Sequence, residues 1–306
     1  MSSTGIKAAV RNRVIYPLAR RLGAWIRESE FQPVPPAPFD NNYAWLRYAF
    51  SQLMDDPVCR RKAEYAWGVV QGAALARALG YPAMSALEFG VAGGNGLLAL
   101  ERISMLTQKM TGVRIEVVGF DSGAGLSPPQ DYRDQPNMWF AGQLTHDPQE
   151  VRNKLTTAEL RVGWVEETVH AWIAERHAPV GFVSFDLDLY SATKDAFTVL
   201  RADYEKILPR VPCYMDDIMG QSYSEFAGVR LAIAEFNEQP KRKLAPIYGL
   251  HHYVPDTHRS GTWERMYWCH LLEHPKYNQL DSITKAIKTD DEGRDIRVDV
   301  RELAAP

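Results

Sequence analysis

The stretch Ala86-Leu87-Glu88-Phe89-Gly90-Val91-Ala92-Gly93-Gly94-Asn95-Gly96 decides the reading of the chain. An apolar run ends in an acidic residue, breaks into glycines, and passes straight into Leu97-Leu98-Ala99-Leu100-Glu101-Arg102-Ile103. That pattern is strand, glycine turn, helix. Glycines let the backbone take positive φ and let a ligand come close to the main chain. The helix that follows presents unpaired N–H groups and the positive end of its dipole. A nucleotide-like cofactor is the expected occupant.

Outward from this turn, apolar runs alternate with helical patterns. The candidate strands are Ser85–Val91, Arg114–Asp121, Leu160–Glu166, Val180–Leu187, Pro212–Asp217, Leu244–Leu250 and Glu264–Leu271. Helical periodicity falls at 97–110, 147–158, 168–177, 191–207 and 223–238. Such alternation predicts an α/β chain with a mostly parallel sheet covered on both faces, and ligands at the carboxyl ends of its strands. Upstream, 41–54 and 59–79 also read as helices, the first rich in aromatic residues.

Residues 5–28 carry apolar positions at helical spacing, interrupted by Pro17, and residues 1–30 hold six Lys/Arg against two Glu. This basic helix is expected to pack on the body or on a second copy of the chain, with a membrane surface as the alternative partner. The proline-rich stretch 31–38 is a stiff connector. The expected organisation is therefore an N-terminal helix and connector over 1–40, a main domain over 41–275, and a polar tail over 276–306 read as a surface helix or disordered segment.

The 306 residues carry a formal net charge of -3, which gives no global case for nucleic-acid binding. Cys59, Cys213 and Cys269 are too few and too scattered for a disulfide framework or a zinc site, so a reducing, cytoplasmic setting is expected.

Two cofactor frames compete at the turn. Gly94-Asn95-Gly96-Leu97-Leu98-Ala99 satisfies the dinucleotide pattern, with Asp121 placed 25 residues past Gly96 to take ribose hydroxyls. That frame would make the chain an NAD-dependent oxidoreductase. The second frame, Glu88-x-Gly90-x-x-x-Gly94-x-Gly96, resembles the first motif of class I S-adenosylmethionine-dependent methyltransferases. A buried carboxylate suits a sulfonium and an ammonium and repels a pyrophosphate, so Glu88 favours the methyl donor. A non-enzymatic cofactor-binding or scaffold protein is the remaining alternative.

Two acidic motifs follow apolar strands: Phe185-Asp186-Leu187-Asp188-Leu189-Tyr190-Ser191 and Met215-Asp216-Asp217. Asp186 and Asp216 stand 30 residues apart, the length of one strand–helix–strand crossover. Neighbouring strands lie about 5 Å apart, so these carboxylates are expected at one edge. They repel unless something compensates, and neither motif contains a lysine or arginine. A hard divalent cation, Mg²⁺ before others, is the expected solution where the crossover sets Asp186, Asp216 and Asp217 close together. Such an ion lowers the pKa of an alcohol, and Asp188, outside the set, is the expected proton acceptor.

Several stretches together resemble the macrocin O-methyltransferase type, enzymes that methylate sugar hydroxyls on natural products. They are Glu88-Phe89-Gly90-Val91, Gly119-Phe120-Asp121-Ser122-Gly123-Ala124-Gly125-Leu126-Ser127, Phe140-Ala141-Gly142-Gln143, Gly163-Trp164-Val165-Glu166-Glu167-Thr168, the Asp186–Thr193 block and Asp216-Asp217. The resemblance spans about 85–271. It implies a Rossmann-like seven-stranded methyltransferase sheet with one antiparallel strand. It also implies S-adenosylmethionine contacts at Glu88, Gly90, Gly94, Gly96, Asp121 and Ser122, Mg²⁺ held by Asp186, Asp216 and Asp217 with Asp188 as the proton acceptor, and a small hydroxylated acceptor. Trp164 is expected on the adenine or in the core. His251, His252 and His258 are expected in a substrate loop or on the surface.

Overall fold

The computed structural model describes residues 43–220, 224–250, 262–279, 285–289, 291–293 and 295–299. The basic helix 5–28, the connector 31–38 and His251, His252 and His258 lie outside the described residues.

The central strands are β1 (Ala83–Phe89), β2 (Arg114–Asp121), β3 (Glu159–Val162), β4 (Val180–Phe185), β5 (Arg210–Met215), β6 (Arg242–Pro246) and β7 (Met266–Leu271). They form one sheet in the order β3-β2-β1-β4-β5-β7-β6. β7 runs antiparallel to both β5 and β6, and the remaining pairs are parallel. This is the seven-stranded, mostly parallel α/β sheet with one antiparallel strand expected from the sequence. Its order reverses between β1 and β4, which places a crevice above their carboxyl ends.

Every residue of β1 and of β4 is buried. Their near-continuous apolar sequences fit strands covered on both faces. One set of helices comprises α1 (Tyr43–Asp55), α2 (Ala63–Ala78) and α3 (Asn95–Thr111), which contact one another. The other set is α5 (Val165–Ala174), α6 (Tyr190–Ala196) and α7 (Gly228–Phe236); the short α4 (Pro148–Arg152) lies before β3. At the crevice floor Phe89 stacks on Phe120 at 4.5 Å and on Phe185 at 5.5 Å, tying the ends of β1, β2 and β4.

Three expectations need correction. The strand read as Leu160–Glu166 stops at Val162, because Gly163 turns the chain at φ 148° and α5 begins at Val165. Glu166 and Glu167 then occupy the first turn of that helix, where its dipole favours them. The helix read over 147–158 shortens to one capped turn: Asp147 accepts from the Gln149 amide at 2.9 Å and Pro148 takes the first position. Finally, the polar tail is not a helix where it is described. Lys285–Thr289 (β8) pairs antiparallel with Asp295–Asp299 (β9), and Gly293 takes φ 80° in the turn. Asp-Ile-Arg-Val-Asp alternates in polarity, a strand period that the charged Asp290-Asp291-Glu292 obscured, whereas Lys-Ala-Ile-Lys-Thr carries no such alternation. Among the described residues, no helix is long and apolar enough to cross a membrane.

Glu101 fastens α3 to the loop before β3. Its buried Oε1 accepts from the backbone amides of Thr156, Thr157 and Ala158 at 2.9, 2.5 and 2.7 Å. Removing the carboxylate leaves three amides to resatisfy, so Glu101→Ala is expected to destabilise the fold by about 2–4 kcal/mol in chemical denaturation. An unchanged midpoint would show that water replaces the clamp.

Candidate functional site

The glycine turn rises from the end of β1 into the crevice. Gly90 takes φ 83°, and a Cβ there would lie 1.7 Å from the Asp186 carbonyl oxygen. The Asp186 amide donates to the Phe89 carbonyl at 2.9 Å, so the turn is stitched to the residue beyond β4. Gly96 is equally constrained, since a Cβ would meet Glu88 Oε1 at 1.9 Å. Asp121 closes the turn from the other side. Its Oδ2 accepts from the Val91 and Ala92 amides at 2.8 and 2.9 Å, and its Oδ1 from the Gly123 amide at 2.7 Å.

These elements enclose a cavity of about 260 Å³. Its lining includes Glu88, Gly90, Gly96, Asp121, Ser122 and Trp164 from the predicted cofactor set, with Asp186 and Asp188 from the predicted acidic edge. Trp164 is 39% exposed at this wall, capping α5, so its ring is available to a ligand and is not a core residue. The Ser122 hydroxyl donates to the Gly125 carbonyl at 2.8 Å and accepts from the Ala124 amide at 3.0 Å, shaping the loop. Gly94 does not line the cavity. It stands at the N-cap of α3 with φ 87°, and a Cβ there would meet the Val151 side chain at 2.9 Å.

Glu88 is 1% exposed. Its Oε1 accepts from the Tyr65 hydroxyl at 2.9 Å, and its Oε2 has no hydrogen-bond partner among the described residues. Burial pushes its carboxyl up to about 8, with Lys62 pulling the other way. A buried carboxylate with one orphaned oxygen at a cavity wall fits a ligand that brings positive charge.

The acidic edge assembles as the spacing implied. β4 and β5 pair in parallel, and the Asp216 amide donates to the Phe185 carbonyl at 3.0 Å. One carboxylate oxygen each of Asp186, Asp216 and Asp217 falls within 4.8 Å of the others. Their oxygen-only chemistry fits a hard divalent cation. Asp188 stands outside that set, is 7% exposed, and takes φ 62°. Its amide donates to Asp217 Oδ2 at 2.9 Å. Burial, and then the negative charges of their acidic neighbours, raise the carboxyls of Asp186, Asp188 and Asp217.

Sequence reading missed two cations and one phenol. Lys62, the last residue of the 3₁₀ turn Cys59–Lys62, lines the cavity and acts on both Glu88 and Asp186. Arg265 pairs with Asp216 and donates to the Tyr214 hydroxyl at 3.0 Å, while that hydroxyl donates to Asp216 at 2.6 Å. Tyr65 bridges Glu88 and Ser184. The acidic motifs contain no cation, but the fold brings cations from elsewhere. No local signal marks them, because each lies far in sequence from the carboxylates it faces. His146 sits with Nε2 3.7 Å from Asp121 Oδ1, in the loop before α4.

No family model matches the chain, and no curated protein matches it. Solved structures similar to it include CalS11, a calicheamicin methyltransferase, at 18% identity over 78% of this chain and 94% of that one, with a TM-score of 0.47. The O-methyltransferase NovP is similar at 18% identity over 68% and 79% of the two chains, with a TM-score of 0.46. An O-methyltransferase from Bacillus cereus in complex with SAH follows at 13% identity over 87% and 96%, with a TM-score of 0.36.

Glu88 makes stability pH-dependent with a definite sign. Its folded pKa, about 8, lies above its ordinary value of 4.5, so the folded state holds a proton that the unfolded chain releases. Its stabilising contribution is complete below about 4.5 and is lost as pH rises towards about 8. Glu88→Gln is expected to flatten this part of the stability–pH curve of the ligand-free protein, measured by denaturant midpoints from pH 5 to 9. A curve identical to wild type would show that Glu88 does not titrate in this range.

Proposed function

We propose that the chain is an S-adenosylmethionine-dependent O-methyltransferase, assisted by Mg²⁺, acting on a hydroxyl of a small acceptor such as a sugar or glycosylated metabolite. The observation that carries this reading is the meeting, around one cavity, of the glycine turn, the orphaned carboxylate of Glu88 and the acidic edge. An electron-rich wall facing a tight backbone turn suits a cationic methyl donor better than a pyrophosphate.

The residues divide the work along the crevice. Glu88 faces the cationic amino-acid end of the donor. The Gly90–Ala92 turn, held by Asp121, supplies the close backbone surface, and Trp164 offers its exposed ring to the adenine. Asp186, Asp216 and Asp217 would hold the divalent cation, which when bound lowers the pKa of an acceptor hydroxyl. Asp188 is the proton acceptor. Burial raises its carboxyl towards neutrality, which suits a group that must take a proton and later release it. The proton leaves the hydroxyl for Asp188, the acceptor oxygen forms its bond to the methyl carbon, and the sulfur–methyl bond breaks to leave a neutral thioether.

Titration calorimetry tests the donor. S-adenosylmethionine is expected to bind in the micromolar range and to lose binding in Glu88→Ala, whereas preferential binding of NAD(H) would overturn the reading. For the cation, Asp216→Asn is expected to spare donor binding and to lower turnover by more than the ~10–100-fold that loss of an outer partner of a metal ligand costs. Metal binding requires ionised carboxylates, and two of the proposed ligands, Asp186 and Asp217, are raised, so Mg²⁺ should increase the melting temperature more at pH 8 than at pH 5.5. Full activity in excess EDTA would remove the cation from the mechanism.

A further inference from the structure

Among the charged residues described in the cavity lining, Lys62 is the one to which neither the motifs nor the reaction gives a task. Its position is built. The 3₁₀ turn that ends at Lys62 is anchored by buried Cys59 and by Asp56, which accepts from the Val58 and Cys59 amides at 2.8 and 3.3 Å. Asp56 is itself clamped by Arg102 of α3 at 2.9 Å. The same helix that follows the glycine turn therefore fixes the turn that carries Lys62.

From that base the ammonium lies 4.8 Å from the Tyr65 ring centroid and 5.5 Å from that of Tyr214. Tyr65 and Tyr214 pack edge to face at 5.2 Å, and the Tyr65 hydroxyl is bonded to Glu88. The two rings guide the lysine stem and hold its charge near the cavity wall. Among the described residues the ammonium makes no hydrogen bond and no ion pair, so all three of its donors remain for a ligand.

We infer that Lys62 binds the carboxylate of the donor's amino-acid end, so that Lys62 and Glu88 together form a receptor for a zwitterion. This rests on the reading of the cavity as an S-adenosylmethionine site. An amino acid carries an ammonium and a carboxylate on one carbon, and the wall offers one fixed anion and one fixed cation beside the same tyrosine. Lys62 thereby selects donors and products that keep the amino-acid portion over nucleosides that lack it. A charge-assisted hydrogen bond of this kind contributes about tenfold or more to affinity.

Calorimetry on the full-length protein separates the alternatives with two probes: S-adenosylhomocysteine, which has the amino-acid end, and 5′-methylthioadenosine, which does not. Lys62→Gln is expected to weaken S-adenosylhomocysteine by about tenfold or more and to leave 5′-methylthioadenosine unchanged, with Lys62→Arg restoring most of the loss. Equal weakening of both probes in Lys62→Gln would overturn the assignment, because a lysine that only offsets the charge of Glu88 and Asp186 acts on both alike. Unchanged binding of S-adenosylhomocysteine would overturn it as well. Failure of the wild-type protein to bind either probe would instead remove the donor reading on which the inference stands. A melting curve for each variant identifies any loss due to unfolding.

Discussion

The contact between Gly90 and the carbonyl of Asp186 is the constraint on which the site depends. It brings two segments into register that are far apart in sequence: the turn after β1 and the acidic stretch after β4. The Asp186 amide reaches back to the Phe89 carbonyl at 2.9 Å, and a side chain on Gly90 would occupy the space of the Asp186 carbonyl. The sheet order changes direction between these strands, so the crevice opens above this contact. Asp121 completes the lock through the Val91 and Ala92 amides. The residue read as a ribose ligand thus has a prior structural duty, and any ligand contact it makes uses the lone pairs that remain.

Around that floor the electrostatics are unusual for a protein interior. Glu88 is buried with one oxygen unpartnered, and Asp186, Asp188 and Asp217 are raised by burial and by one another. The opposing charges do not come from neighbouring sequence. Lys62 arrives from the turn before α2, and Arg265 from the 3₁₀ turn before β7. They are distributed unequally. Arg265 is committed to Asp216 and Tyr214, while Lys62 lies over aromatic rings with its donors open. One end of the site is therefore internally compensated and the other keeps its cation available.

The sheet was legible because its signals are periodic and local. Buried β1 and β4 read as apolar runs, and the 30-residue step from Asp186 to Asp216 measured one crossover. Boundaries failed where one residue outweighed a pattern, as when Gly163 ended β3 ahead of Trp164 and Val165. The β8–β9 pair was hidden by composition, since a charged turn between two short, charged strands looks like a polar tail. Within the site, motif residues were legible and their counter-charges were not. Lys62, Tyr65 and Arg265 carry no motif, and only the packing of α2 and β7 against the central strands brings them in. Gly94 fits the cofactor motif and also has a structural duty that the motif does not announce, as the helix cap beneath Val151.

The same features that make the site chemically useful cost the fold stability. A buried, half-satisfied carboxylate and a cluster of like charges are unfavourable in the absence of a ligand, and Asp188 holds a left-handed conformation that non-glycine residues rarely adopt. Strain and uncompensated charge of this kind persist only where the surrounding structure over-determines them. Here the over-determination is visible. Asp188 is fixed by the bond from its amide to Asp217, Glu88 by Tyr65, and the turn between them by Asp121. Each tie is made through a backbone amide or a neutral hydroxyl, so none of them cancels the carboxylate charge. The fold holds its acidic groups in place while leaving their charge to be answered from the cavity, which is the arrangement a cationic ligand and a divalent ion require.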